Sequence, residues 1–274
     1  MLKKTDIDFF FTNGYLLVKQ VYDPADIETA REFFLMAFRK GLWKNSRYNS
    51  RDIINDIYRM YPELLDIVIN ETYAAALKSI LGNDVIWLPE CAVHYNRFIN
   101  WHSDTTEQEI KGVKSHKNPH QFLLQCATYF QPNSAHGGGL TVIPGSHLSE
   151  DRFLDFYRKG IFWRIINKVR KVLRMSLFDV LDRSDLAVNI PTEPGDLLIF
   201  DVRLCHKSSG NGSNAPQIDK FAIFNTFGNA NAFTREYLGF MKKRPEPSYK
   251  FMQDTLLPEN VYKKAQDLDI KIWN

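Results

Sequence analysis

The chain has 274 residues, 44% of them hydrophobic and 24% charged, a balance that fits a globular protein with one large core and excludes disorder over most of its length. Its 35 Lys and Arg against 32 Asp and Glu leave a formal charge of +3, too weak a field to imply nucleic acid as a partner. The cysteines Cys91, Cys126 and Cys205 are widely separated in apolar contexts and read as buried thiols of a reducing compartment. With no signal-peptide pattern at the start and no apolar run long enough to span a bilayer, the expectation is a cytoplasmic protein.

In chain order, Asp6 to Leu17 reads as a short helix sharing Ile7, Phe10 and Phe11 on one face, broken at Asn13-Gly14 and continued by the apolar strand from Tyr15. Asp23-Pro24 offers an N-cap with Pro at the first helical position, and a helix through Lys40 follows, with Ile27, Ala30, Phe33, Phe34 and Ala37 as its buried stripe. Trp43 to Asp52 is a polar loop, and Ile53 to Tyr61 and Pro62 to Leu81 have helical spacing. From Val85 the period changes: strand-type segments at Val85–Phe98, Phe122–Phe130, Leu140–Ile143, Leu197–Phe200 and Asp219–Phe227 alternate with Gly, Pro and Asn turns. Helices first and many short strands afterwards imply a sandwich or barrel with a helical layer on one side.

Three stretches stand outside this alternation. Thr105 to His120 is a polar, Lys-rich connection placed as a lid would be. Gly160 to Asp179 carries Phe162, Ile165, Ile166, Val169, Val172, Leu173 and Leu177 at helical spacing, with Arg164, Lys168, Lys171 and Arg174 between them. This is a basic amphipathic helix; it reads as a solvated helix packed on the sandwich, with an acyl-chain, peripheral membrane or acidic-cofactor contact as the alternative. The segment from Arg235 contains Pro245, Pro247 and Pro258, and one short helix is expected near Glu259 to Leu268.

The chemistry concentrates at Trp101-His102-Ser103-Asp104. On a strand, His102 and Asp104 would point to the same face, and a third ligand would have to arrive from far along the chain. His206 is the candidate, because it follows Pro194-Gly195-Asp196 and an apolar strand, at a strand end beside a loop. Two imidazoles and one carboxylate on one side of an ion leave the other side open, the arrangement that non-haem iron(II) oxygenases use. His147 reads as structural, hydrogen-bonding a loop backbone. His94, His116, His120 and His136 have no motif support and read as surface or satisfied core groups. Gly137 to Gly139 reads as a β-turn rather than a phosphate cradle, since neither a helix pattern nor a Lys-Ser or Lys-Thr pair follows.

The ordered set of His102-x-Asp104, then Gly138-Gly139-Leu140-Thr141-Val142-Ile143-Pro144-Gly145-Ser146-His147, then Pro194-Gly195-Asp196 with His206 and Asn211 behind it, resembles the phytanoyl-CoA dioxygenase family of iron(II)- and 2-oxoglutarate-dependent oxygenases. Phe9-Phe10-Phe11-Thr12-Asn13-Gly14-Tyr15-Leu16-Leu17-Val18 is similar to the family's opening helix, Gly-Tyr and strand, so the likeness runs from Ile7 to about Phe227. It implies a mainly β fold with α: a double-stranded β-helix, or cupin-like jelly roll, in a single domain over 1–274. The helical layer would occupy about 1–84, the jelly-roll core about 85–228 with a helical insertion at about 150–185, and a C-terminal extension 229–274.

The resemblance further implies His102, Asp104 and His206 as iron ligands, with Fe(II), 2-oxoglutarate and O2 as cofactor and co-substrates. The reaction would oxidise a C–H bond of a small or lipid-like molecule with release of succinate and CO2. Related halogenases lack the carboxylate ligand, so Asp104 favours hydroxylation. The family's Arg for the distal carboxylate of 2-oxoglutarate is not at its usual place, where Pro216, Gln217 and Ile218 stand; the first cation after them is Lys220. Lys220 is expected to do that work as a point charge. Arg203 competes but, three residues before His206, should face away from it. Gln125, Tyr129 and Tyr95 are further co-substrate candidates, each equally explained as a core polar group. Two other classes remain at this point: a catalytically silent cupin-like module that binds metal or ligand, and a metal-dependent hydrolase or isomerase that ignores 2-oxoglutarate.

Overall fold

The computed structural model describes residues 2–42, 52–55, 57, 61–106, 108, 121–136, 139–148, 186–209, 219–245, 249, 252–253 and 257–273. The expected loop 43–52 lies almost wholly outside these residues. So do most of the 105–120 connection, Gly137 and Gly138, the basic helix of 160–179 with its surrounding insertion, and the 210–218 loop with Asn211.

Helix α1 (Lys4–Asn13) ends at Gly14, whose φ of 82° is the left-handed cap conformation, and strand β1 (Tyr15–Val18) follows at once. A side chain at Gly14 would be doubly excluded, because an added Cβ would lie 2.4 Å from Nδ1 of His147. Helix α2 (Pro24–Arg39) is capped by Asp23, whose side chain accepts from the Ala25 N–H at 2.8 Å. It buries Ile27, Ala30, Phe34, Ala37 and Phe38; Phe33 is only partly covered.

The next stretch departs from the helical expectation. Ile53–Asn55 is strand β2, paired antiparallel with His94, Val93 and Ala92; Ile57 is helical as expected, and further helical structure follows at Pro62–Leu64, α3 (Leu65–Val68) and α4 (Glu71–Leu81). A long-range pairing partner overrode a local apolar spacing that by itself suits a helix.

Two sheets follow. The larger orders its strands β1, β7 (Leu197–Asp201), β4 (Leu123–Tyr129), β9 (Phe221–Asn229), β3 (Val85–Tyr95) and β10 (Lys271–Ile272), with β2 also on β3. The smaller orders β6 (Val188–Asn189), β5 (Leu140–Val142) and β8 (His206–Ser208). They form the expected double-stranded β-helix with helices outside.

Alternation along the strands divides the core. Leu124, Cys126, Leu197, Ile199, Phe221 and Ile223 face α1, α2 and α4, whereas Ala127, Tyr129, Leu198, Phe200 and Ala222 fill the space between the sheets. All three cysteines are buried and none is in a disulfide.

The C-terminal extension is more structured than its prolines suggested. Asn231 caps a helix, α5 being the short turn Asn133–His136 and α6 this longer one (Ala232–Lys242), by accepting from the Thr234 N–H at 2.9 Å. Phe233, Tyr237, Leu238 and Met241 of α6 pack on Ile86, Leu88 and Leu123 at one end of the large sheet. Helix α7 (Glu259–Asp267) stands where the expected helix of 259–268 was placed, and β10 returns to pair parallel with β3.

Candidate active site

β8 brings His206 back beside His102. The two residues form an antiparallel bridge, each backbone N–H donating to the other's carbonyl at 2.9 Å, and the Asp104 N–H donates to the Val202 carbonyl at 2.9 Å. His102 and Asp104 are thus held by one isolated bridge rather than a continuous strand. One ligand atom from each of His102, Asp104 and His206 lies within 4.8 Å of the others. His102 Nε2 is 3.7 Å and His206 Nε2 3.9 Å from Asp104 Oδ1, and the imidazole centroids are 4.3 Å apart.

Hydrogen bonding decides which nitrogens face the centre. His102 Nδ1 is 2.7 Å from the Asn100 carbonyl and His206 Nδ1 2.9 Å from that of Leu204; a carbonyl can only accept, so each Nδ1 carries the proton and each Nε2 keeps its lone pair. Burial holds the His206 imidazole well below its ordinary pKa, so it is neutral, as a ligand must be. Burial also pushes the Asp104 carboxyl up to about 6, opposed by His102, and its Oδ2 has no hydrogen-bond partner among the described residues. Two outward lone pairs and a desolvated, incompletely bonded carboxylate are a donor set that fits a divalent transition metal such as iron(II) with coordination positions left open.

The three groups open onto a cavity of about 410 Å³ between the sheets. Its row order follows from register. Phe200 pairs with Gln125, which pairs with Thr226, and the Phe200 ring is 4.9 Å from that of His206, so the triad lies over this row. Moving along β9 on the same face, Phe224, Ala222 and Lys220 follow. Lys220 is six positions from Thr226 along the chain, and its long side chain lines the same cavity as the triad.

At that far end Lys220 is buried, its Nζ donating to the Arg97 carbonyl at 3.1 Å and lying 4.4 Å from the Phe98 ring centre. No carboxylate is paired with it among the described residues, and burial lowers its pKa to about 8. Arg97 lines the same end, its guanidinium 2.9 Å from Asp52.

The remaining expected residues separate. Arg203 faces away, as anticipated: its guanidinium donates to both oxygens of Asp201, at 2.8 and 2.6 Å, and lies over the Phe122 and Phe233 rings. Tyr129 is buried between the sheets with its ring centre 6.0 Å from Lys220 Nζ and its hydroxyl without a partner among the described residues; it does not line the cavity. Gln125 does line it, but in the triad's row, its Oε1 2.5 Å from Thr226 Oγ1 and far from Lys220. Tyr95 lies on the other face of β3. As an odd-numbered residue it shares the helix-facing side with Cys91 and Val93, packs on Phe38 and Phe221, and donates to Asp219 at 2.8 Å. His147 has the structural role expected of it: it is buried, with Nε2 3.2 Å from the Phe11 carbonyl.

Several cavity residues were not singled out from sequence. His94 stacks on Phe224 at 4.7 Å and is pulled down to about 3 by burial and by the charges of Arg97 and Lys220. Glu90 accepts from Thr226 Oγ1 at 2.7 Å and from the Tyr237 hydroxyl at 3.1 Å, and burial raises its carboxyl to about 7. Tyr237, Met241 and Arg244 reach the cavity from α6 and the residues just after it. A glutamate immediately after Pro89, on the cavity parity of a central strand, was a readable signal of a buried charge.

The family description "Phytanoyl-CoA dioxygenase (PhyH)" matches residues 10–218. The chain belongs to the phytanoyl-CoA dioxygenase family. An enzyme named ectoine dioxygenase from Stutzerimonas stutzeri (strain A1501) is 21% identical over 283 residues, covering 93% of this chain and 85% of the relative. A second so named, from Sphingopyxis alaskensis, is 24% identical over 207 residues, covering 70% of this chain and 62% of the relative. In fold, the chain is similar to EctD from S. alaskensis, solved with 2-oxoglutarate and 5-hydroxyectoine: the TM-score is 0.57 at 16% identity, over 83% of this chain and 76% of that one. Family membership makes this chain a non-haem iron, 2-oxoglutarate-dependent dioxygenase that uses Fe(II), 2-oxoglutarate and O2, with a small molecule as substrate. This removes the silent-module and hydrolase alternatives. Among the described residues no helix is long and apolar enough to cross a membrane.

Proposed function

We propose that His102, Asp104 and His206 hold Fe(II) and that the enzyme hydroxylates a C–H bond of a small polar molecule. In this reaction 2-oxoglutarate, O2 and R–H become succinate, CO2 and R–OH, one oxygen atom entering succinate and the other the product. The observation that carries the reading is the convergence of the two Nε2 lone pairs and the Asp104 carboxylate on one cavity with a buried lysine, unpaired with any carboxylate among the described residues, at its far end. Bound iron supplies activation of O2 and a chelation point for the 2-oxo acid end of 2-oxoglutarate.

The chain's own residues supply placement. The Asn100 and Leu204 carbonyls hold both imidazoles in the tautomer that presents Nε2. Asp104 contributes the negative charge that a neutral histidine pair lacks. Lys220 takes the distal carboxylate: its ammonium has spare donors, and a bound dianion offsets the desolvation that depresses its pKa. Phe224 and His94, stacked between Lys220 and the triad's row, wall the intervening space and limit water there.

Beside apolar groups such as Ile53, Ile99, Leu140 and Phe224, the lining carries Glu90, Asn55, Gln125, Arg97 and Arg244, polar groups that can hold a polar substrate. The relatives' name makes ectoine the first compound to try. Incubation with Fe(II), ascorbate, 2-oxoglutarate and O2 is expected to release succinate slowly alone and faster with a true substrate, and to release none in Asp104→Ala. Release that persists without added Fe(II) in chelated buffer would overturn the reading.

A further inference from the structure

The cavity end opposite Lys220 carries a group that neither iron nor 2-oxoglutarate uses. We propose that Glu90 is the receptor for a positively charged nitrogen, ammonium or amidinium, of the primary substrate. This rests on the oxygenase reading above and deepens it by naming the substrate's chemistry.

Backbone geometry presents Glu90. Between Trp87, opposite Phe227, and Cys91, opposite Asn225, β3 holds three residues where β9 has only Thr226, a bulge that contains Pro89. Glu90 keeps the parity of Ala92 and His94 and so faces the cavity, while the bulge interrupts the ladder where proline is tolerated. The carboxylate so presented lines the cavity beside the triad's row.

Its bonding is one-sided. Both protein donors, Thr226 Oγ1 and the Tyr237 hydroxyl, converge on Oε2, and Oε1 has no partner among the described residues. Thr226 Oγ1 also lies 2.5 Å from Gln125 Oε1, yet a hydroxyl has one proton. With the Gln125 amide turned so that its nitrogen donates to Thr226, that proton goes to Glu90 and the ionised carboxylate receives two donors. No ion pair joins Glu90 to a described cation, and Arg244, which lines the same end, stacks on Tyr249 at 4.1 Å. Arg244 acts on Glu90 through space without pairing with it, so a partly buried carboxylate with one oxygen unbonded still gains from a cation that a ligand brings. The Tyr237 ring nearby favours a cation over a neutral ligand of the same shape.

The test is calorimetric binding of benzamidinium and of its neutral isostere benzamide to the wild-type chain with 2-oxoglutarate, both metal-free and loaded anaerobically with Fe(II). The cation is expected to bind at least ~10-fold more tightly than the amide, with Glu90→Gln removing most of that preference. A Tyr237→Phe variant, which keeps the carboxylate and loses one donor, should retain the preference and guards against misfolding of Glu90→Gln. Equal binding of the two probes, or a preference that survives Glu90→Gln, overturns the proposal. Wild-type binding of 2-oxoglutarate, read in the same cell, reports separately on the oxygenase reading.

Discussion

The two ends of the cavity are built from the same sheet face and carry opposite charges. At one end Lys220 extends from the start of β9 with a backbone carbonyl and an aromatic ring as its neighbours; at the other Glu90 faces inward beside a bulge, with two hydroxyl donors. The metal triad lies over the Gln125–Thr226 row, nearer to Glu90, which senses Asp104's charge, whereas His94 senses those of Lys220 and Arg97. On the proposed reading the difference would let one cavity sort two ligands, an anion at the Lys220 end and a cation at the Glu90 end.

The largest effect should come from the donors that both ends share. His206→Ala or Asp104→Ala is expected to weaken Fe(II) binding by ~100-fold or more and to abolish succinate formation with any substrate, as measured by metal titration and product analysis. If either variant kept wild-type metal affinity, the two ends would have no common centre.

Arg203→Ala sharpens the assignment of the cationic end. It breaks a buried bidentate pair with Asp201 and should cost ~3–5 kcal/mol in denaturant unfolding, yet leave 2-oxoglutarate affinity unchanged in the folded protein. Lys220→Ala should do the reverse, weakening 2-oxoglutarate by ~10–100-fold with a smaller stability change. An effect of Arg203→Ala on 2-oxoglutarate binding in place of Lys220→Ala would exchange their roles.

The pH dependence is subtler and follows in sign from the depressed lysine. Lys220 titrates near 8 in the empty site, and the dianion binds its protonated form. Affinity for 2-oxoglutarate should therefore hold below pH 8 and fall by up to ~10-fold per unit above it, while Lys220→Arg binds with a flat profile over the same range. A flat wild-type profile would mean that Lys220 does not contact the co-substrate. Smallest in functional reach is Gly14→Ala, expected to cost ~1–3 kcal/mol in thermal unfolding through the left-handed φ and the crowding of His147.

The contrast between the two ends also marks what could be read in advance. The triad was legible because His102 and Asp104 are two residues apart and His206 follows a turn and an apolar strand. Lys220 was singled out as the first cation after the place of the family's Arg, and strand parity puts it on the face of Ala222, Phe224 and Thr226. Helix α1 followed from its apolar spacing and the break at Asn13-Gly14, and α2 from its Asp23-Pro24 cap and apolar stripe. At the other end of the cavity only Glu90 itself left a local signal, its charge next to Pro89 on a strand; its surroundings did not, since they come from a bulge in β3 and a helix after β9 whose contacts are tertiary. Strand β2 was misread as helix for the same reason: its three residues are defined by pairing with β3, not by local preference. Tyr95 was assigned to the site through its place in the chain, although strand parity turns it toward the helices.

The most direct test of the account is anaerobic titration of 2-oxoglutarate into the Fe(II)-loaded wild-type chain and into its Lys220→Ala and His206→Ala variants. The account requires one saturable site per chain, weakened ~10–100-fold in the first variant and lost together with the metal in the second. Equal 2-oxoglutarate affinity in all three proteins would contradict it.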